Sequence, residues 1–215
     1  MRRRFALLPL WIAAAACFGA CGPKYNLRVP DDQLQKLPYE SRIELLEAEN
    51  ELAVAIDHRD EAVSEVGRAR EALRRAKDRL AAADDELSEA DDKVASEVAM
   101  LAVEEANARV EFLRAQQQLN VKGLALFELS LRCAHARFEL ARLHVARKAK
   151  VEGSESLAVP KFEGQVKACE DEVAERKAQL TEQTQAAAGA KESWDKRKSA
   201  LAKKTFDARA SPFVE

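Results

Sequence analysis

The sequence predicts an all-α protein whose long helices pack as a coiled coil. The chain of 215 residues is 33% charged and 6% aromatic, with 7 Gly and 6 Pro, a composition typical of long helices rather than of a large globular core. From Leu45 to Val94, apolar residues recur at alternating spacings of three and four. That repeat indicates one helix with a narrow apolar seam.

The seam combines a row of large residues with a row of alanines. Alanine stands at every seventh position from Ala48 to Ala90, and a row that is mostly Leu or Val precedes it by three residues. Because methyl groups let another helix approach closely, we interpret the seam as a partner-binding surface. Its residues are Leu45, Ala48, Leu52, Ala55, Ala62, Val66, Ala69, Leu73, Ala76, Leu80, Ala83 and Leu87.

The first helix is expected to be very long. Pro38 marks a helix start, and no proline follows it until Pro160. We therefore expect a continuous helix over about 39–150, which is about 165 Å at 1.5 Å per residue. Beyond Val94 the apolar residues lie on two sides, so this segment should have two neighbours. A break near 88–96 would instead give a three-helix up-down-up bundle, but the absence of Gly and Pro there favours the continuous helix.

A second helix is expected to return along the first. Gly153 and the serines after it predict a turn over about 151–158, and Pro160 is typical of the first turn of a new helix, expected over about 159–204. If Cys133 lies level with Cys169, polar residues of the two helices meet at one level, and Trp194 faces the small Ala108. This agreement favours an antiparallel coiled-coil hairpin, because a polar side chain facing an apolar seam is unfavourable.

The same register brings two cysteines together. Cys133 and Cys169 remain once the cysteines of the N-terminal segment are set aside. In an oxidising compartment, cysteines level across a hairpin predict a disulfide. Two buried thiols are the alternative.

The N-terminal residues have the order of an export signal. Three arginines at positions 2–4 precede an apolar run, 5–18, that is too short for a comfortable membrane span. The sequence then reads Phe18-Gly19-Ala20-Cys21-Gly22, which resembles the lipobox of bacterial lipoproteins, although an aliphatic residue is usual where Phe18 stands. The resemblance implies cleavage of a signal peptide, 1–20, and acylation of Cys21, with palmitate among the expected acyl chains. Gly22, rather than aspartate, then favours the periplasmic face of the outer membrane.

Three further segments follow the signal peptide. Residues 21–38, with several prolines and no helical period, are expected to be a lipidated N-terminus and flexible tether. Tyr25, Leu27 and Val29 alternate with polar residues, so a short strand is the alternative there. Residues 39–204 form the elongated coiled-coil domain, and residues 205–215 are expected to be a disordered tail.

Charge and motifs restrict the function. Cleavage removes three arginines and no acid, which changes the formal net charge from −2 to about −5. An acidic rod argues against nucleic acid as a partner, so acyl chains, rather than a basic patch, would hold the protein to a membrane. The three histidines lack metal-ligand spacing, and no nucleophile–base pair or phosphate-binding loop is present. We therefore expect no enzyme, metal, cofactor or small-molecule substrate.

The predicted function is that of a structural spacer, scaffold or assembly subunit of the cell envelope. Its expected partner is another helix, from a second copy of the chain or from an envelope protein. A periplasmic holdase chaperone, or an adaptor or activator of an envelope machine, is the alternative.

Overall fold

The computed structural model describes residues 25–206, and helices dominate that range. Two short helices, α1 (Asp31–Gln35) and α2 (Tyr39–Ile43), precede three long ones. The long helices are α3 (Leu46–Glu89), α4 (Lys93–Lys148) and α5 (Val159–Thr205). The described part of the chain contains no strand, so the all-α prediction is confirmed. The predicted signal peptide, Cys21 and tail residues 207–215 lie outside the described range.

The long first helix is interrupted, and the prediction of continuity over 39–150 is wrong. α3 ends at Glu89, Ala90 has extended backbone angles (φ −70°, ψ 112°), and α4 begins at Lys93. α4 then runs antiparallel to α3 and packs along it, while α5 packs along another side of α4. The structure is therefore the three-helix up-down-up arrangement, with the helix that is apolar on two sides in the middle.

The break forms without glycine or proline because Asp92 caps the new helix. Its backbone is extended (φ −124°, ψ 163°), and its carboxylate accepts hydrogen bonds from the backbone N–H groups of Val94 and Ala95, both at 2.8 Å. The first N–H groups of a helix have no intrahelical partner, so a carboxylate at this position satisfies them and also favours the positive end of the helix dipole. No residue of the turn has a positive φ, so ordinary side chains are accommodated.

The α3 seam packs against α4 of the same chain. Each of its predicted residues is buried or half-buried. Leu73 and Ala76 form a buried cluster with Val110 of α4, and the rings of His58 and Phe127 lie 5.6 Å apart between their centroids. The expectation that these residues bind a helix from another molecule is therefore wrong, because α4 already covers them.

α4 and α5 form the predicted antiparallel hairpin, in nearly the predicted register. Trp194 is 3% exposed, and its two partners on α4 lie about one helical turn before and after the predicted Ala108, so it stands at the predicted level. Its indole Nε1 donates to Glu105 Oε1 at 2.7 Å, and its ring stacks on Phe112 at a centroid distance of 5.7 Å. Further along the hairpin, Lys204 Nζ donates to Glu97 Oε2 at 2.6 Å. The two position numbers of each pair add to nearly the same total as those of Cys133 and Cys169, as one antiparallel register requires.

The turn between α4 and α5 is built on left-handed residues; we call this end of the bundle the hairpin end. Lys150 has φ 54°, and Gly153 has φ 87°. Val151 N donates to Ala146 O at 2.9 Å and Lys150 N to Arg147 O at 3.0 Å, the bond pattern of a Schellman motif. The Arg147 guanidinium donates to three turn carbonyls, those of Ser154, Glu155 and Leu157. The turn is therefore fixed by both backbone and side-chain bonds.

Replacing the capping carboxylate tests the break between α3 and α4. We expect Asp92→Ala to lower the free energy of unfolding by about 1 kcal/mol, because two N–H groups lose their acceptor. Asp92→Asn should retain most of the stability, and Asp91→Ala, at the exposed neighbouring residue, is the matched control. Urea denaturation followed by circular dichroism measures all three. Equal stability of Asp92→Ala and the unmodified protein would contradict the assignment of the cap.

Candidate functional site: the docked N-terminal strap

The segment before α2 is packed onto the bundle. We call residues 25–38 the strap. Val29 is 2% exposed and Leu37 is 5% exposed, and α1 lies within this segment. The prediction of a flexible tether over 21–38 is therefore wrong for residues 25–38, while residues 21–24 lie outside the described range.

Three hydrogen bonds join alternate strap residues to the long helices. The donors share an extended stretch in which every second residue faces the same side. The bonds run from Tyr25 Oη to Glu172 Oε2 (2.8 Å), from Leu27 N to Gln165 Oε1 (3.1 Å) and from Val29 N to Glu139 Oε2 (2.8 Å). The strap thus crosses from α5 to α4 and runs toward the hairpin end.

A buried ion pair on α4 holds the middle of the strap. Glu139 is 8% exposed and Arg142 is 9% exposed. Besides Val29 N, Glu139 accepts a hydrogen bond from Arg142 Nη1 through its other oxygen, and Arg142 Nη2 donates to Asp31 Oδ1 at 2.6 Å. Charge-assisted bonds of this kind are short and strong, whereas removal of one partner leaves an uncompensated buried charge. Both side chains of the pair therefore bind the strap directly, Glu139 through the backbone of Val29 and Arg142 through Asp31.

Apolar contacts complete the docking. Val29 packs with Leu143 of α4 and Phe162 of α5. Leu37 and Leu45 join a second cluster that covers the end of α4 and includes Val145, Ala146 and Val151. Burial of one aliphatic side chain of this size contributes about 1.5–3 kcal/mol, so Val29 alone is a substantial anchor for the strap.

The strap occupies one side of α4, and an ion-pair bridge occupies the other. At about 100° per residue, Arg137 and Glu139 point to nearly opposite sides of the helix. Arg137 Nη2 lies 2.8 Å from Glu170 of α5, and its Nη1 lies 3.9 Å from Glu51 of α3. These groups are exposed, so the bridge contributes little stability. The two contacts of Arg137 show that α3 and α5 flank α4 on the side away from the strap.

The structure joins Cys133 and Cys169 in a disulfide, as the hairpin register predicts. Their Cα atoms are 5.6 Å apart, and the two residues are 2% and 0% exposed. Leu129 completes this buried cluster, and Tyr25 packs against it. The covalent link between α4 and α5 therefore lies beneath the N-terminal end of the strap.

The opening beside the strap has four charged residues in its lining, Asp31, Arg42, Glu49 and Arg142, and three of them are already hydrogen-bonded. A cavity of about 450 Å³ lies between the strap, α2, α3 and α4. Its Arg142 is already bonded to Glu139 and Asp31, and Arg42 donates to the carbonyl of Gln35 at 3.5 Å. Among residues 25–206, no group of three or more His, Cys, Asp or Glu side chains is placed to hold a metal ion. No helix in that range is long and apolar enough to cross a membrane.

Sequence reasoning missed the buried pair and detected only part of the strap. The alternation of Tyr25, Leu27 and Val29 offered a short strand as the alternative to a linker; the structure forms no strand there, but these three residues do face the bundle. Glu139 and Arg142 look like one of many surface ion pairs spaced three residues apart. The signal that separates them is their position between Ala136 and Leu143, which are both buried.

A charge at Val29 tests whether the strap docks as described. We expect Val29→Asp to release the strap, because the carboxylate would be buried among apolar side chains. The amides of Leu27 and Val29 should then exchange hydrogen at least about tenfold faster, which corresponds to 1.4 kcal/mol or more of lost protection. Hydrogen exchange with mass spectrometry measures this, and Asn26→Asp, at an exposed strap residue, is the matched control. Unchanged exchange in Val29→Asp, with α5 equally protected, would refute the docking.

Loss of the disulfide should weaken the whole bundle. The bridge closes a loop with a sequence separation of 36 residues, for which typical stabilisation is about 2–4 kcal/mol. We expect the free energy of unfolding of the Cys133→Ser/Cys169→Ser variant to be lower by that amount, as measured by urea denaturation. Dithiothreitol should destabilise the unmodified protein equally and leave the variant unaffected. Insensitivity of the unmodified protein to the reductant would contradict a structural disulfide.

Comparisons of the chain with protein-family models, with curated proteins and with solved structures find no match.

Proposed function

We propose that this chain is a lipid-anchored periplasmic lipoprotein that acts as a helical spacer, scaffold or assembly subunit of the cell envelope. The observation that carries the proposal is the N-terminal sequence. Arginines at positions 2–4, an apolar run over 5–18 and the small residues Gly19 and Ala20 precede Cys21. This is the order in which a signal peptide ends at an acylated cysteine. These residues lie outside the described range, so the sequence alone supports this part.

The described residues suit a spacer because they form one elongated body. α4 has 56 residues, which is about 84 Å at 1.5 Å per residue. α3 and α5 pack along it, the disulfide joins α4 to α5, and the strap covers the part of α4 toward the hairpin end. A body of this kind can hold two attachment points apart and can present long surfaces to other proteins.

Contact with another helix would use the outer side of the bundle. The α3 seam is occupied by α4, so it is not available to a second copy or to an envelope protein. Large exposed apolar side chains lie instead on α2 and the start of α3: Tyr39 is 75% exposed, Ile43 52% and Leu46 57%. They occur at spacings of four and three residues, as on one side of a helix. We assign the partner contact to this region.

Acyl-chain labelling tests the proposed anchor. In bacteria fed labelled palmitate, the unmodified protein should carry the label, and its mature N-terminus should be acylated Cys21. Cys21→Ser should lose the label and leave the membrane fraction, because stable anchoring needs the acyl chains. Cys17→Ser, at the other cysteine of the N-terminal segment, should remain labelled. A mature N-terminus at any other residue, or label retained by Cys21→Ser, would refute the proposal.

A further inference from the structure

We propose that the docked strap makes the bundle lie along the membrane, with the strap side toward the lipid and the long axis within about 30° of the bilayer plane. The angle follows from the lengths of α4 on either side of the point where the strap leaves the bundle and from the reach of the chain between that point and Cys21. This inference rests on the proposed acylation of Cys21. It adds an orientation and a membrane-facing surface, which the presence of an anchor does not define.

The strap leaves the bundle at Tyr25. Tyr25 packs on the cluster of Leu129, Cys133 and Cys169 and donates to Glu172. This point lies on the side of the bundle and not at an end. At 1.5 Å per residue, α4 extends about 26 Å from this level to the hairpin end and about 57 Å to its other end.

The short chain between Tyr25 and Cys21 limits how far the acylated residue can lie from that point. Four peptide units separate Tyr25 from Cys21. Even fully extended, they span only about 14 Å. The lipid surface must therefore lie within about 14 Å of the exit point, a distance shorter than either arm of α4.

An upright bundle is incompatible with these lengths. If it stood on its hairpin end, about 12 Å of protein would have to pass beyond the lipid surface, and standing on the other end would be worse. The exposed charged side chains at that end, among them Lys148 and Glu152, would resist such insertion. Tilting is limited to about 30°, the angle at which the shorter arm of about 26 Å descends by the reach of about 14 Å.

The strap is what imposes this limit. Released from Glu139, Gln165 and Glu172, the whole segment 22–38 would reach about 60 Å and allow any orientation. Attraction of basic side chains to anionic lipid does not explain this orientation. The mature chain is acidic, and exposed basic side chains of the helices are paired with acidic ones. The orientation should therefore persist on a bilayer without anionic lipid.

Neutron reflectometry measures the orientation directly. The mature, acylated protein is placed in a supported bilayer of phosphatidylcholine. We expect a protein layer no thicker than about 60 Å, because a tilt of about 30° gives α4 a height of about 42 Å and the width of the bundle adds about 20 Å; an upright bundle gives about 80 Å or more. A layer of the upright thickness overturns the inference.

Two variants show whether the strap is responsible. Twenty Gly/Ser residues inserted after Gly22 leave the bundle untouched and give a tether with a typical span of about 27 Å, longer than the shorter arm, so the layer should thicken. Val29→Asp should thicken it as well, whereas Asn26→Asp should not. A layer that stays thin with the insertion overturns the inference.

The mass of the mature N-terminus separates the two proposals. If Cys21 is not acylated, the proposed function fails and the orientation fails with it. If Cys21 is acylated and the unmodified protein forms a thick layer, the orientation alone fails and the lipoprotein assignment stands.

Discussion

The fold depends on one constraint: α4 is apolar on two nearly opposite sides, so it needs two neighbours. A single long helix followed by one returning helix would cover only one side. The chain meets the need by folding back twice, so that α3 covers one apolar side of α4 and α5 covers the other. Burial of apolar area at about 25 cal/mol per Å² along such lengths exceeds the cost of the few helical hydrogen bonds lost at the break, each about 0.5–1.5 kcal/mol.

Periodicity made the helices and the hairpin predictable. A repeat of 3.5 residues fixes which side of each helix is apolar, and the levels of Cys133 and Trp194 fix the register of α4 and α5. The break was not predictable in the same way, because Glu89–Asp92 contains good helix formers and acids that also occur within helices. Asp92 becomes a cap only because the chain gains a second interface by turning there, and local sequence does not contain that gain.

The strap shows a second limit of sequence reasoning. Prolines and a missing helical period look the same in a free linker and in a segment that packs as extended chain. The difference lies in the surface that receives the segment, here Glu139, Gln165 and Glu172 from two helices more than a hundred residues further along the chain. Such long-range acceptors have no local signature. If Cys21 is acylated as proposed, docking of the strap leaves only a few residues of free chain between the lipid and the bundle.

The central claim, that α3 folds back onto α4, is tested most directly by small-angle X-ray scattering from the purified protein carrying Cys21→Ser. The arrangement described here predicts a longest dimension of about 90–100 Å, set by the length of α4 and the short segments beyond it. A longest dimension near 165 Å would show that α3 and α4 form one continuous helix and would contradict the account.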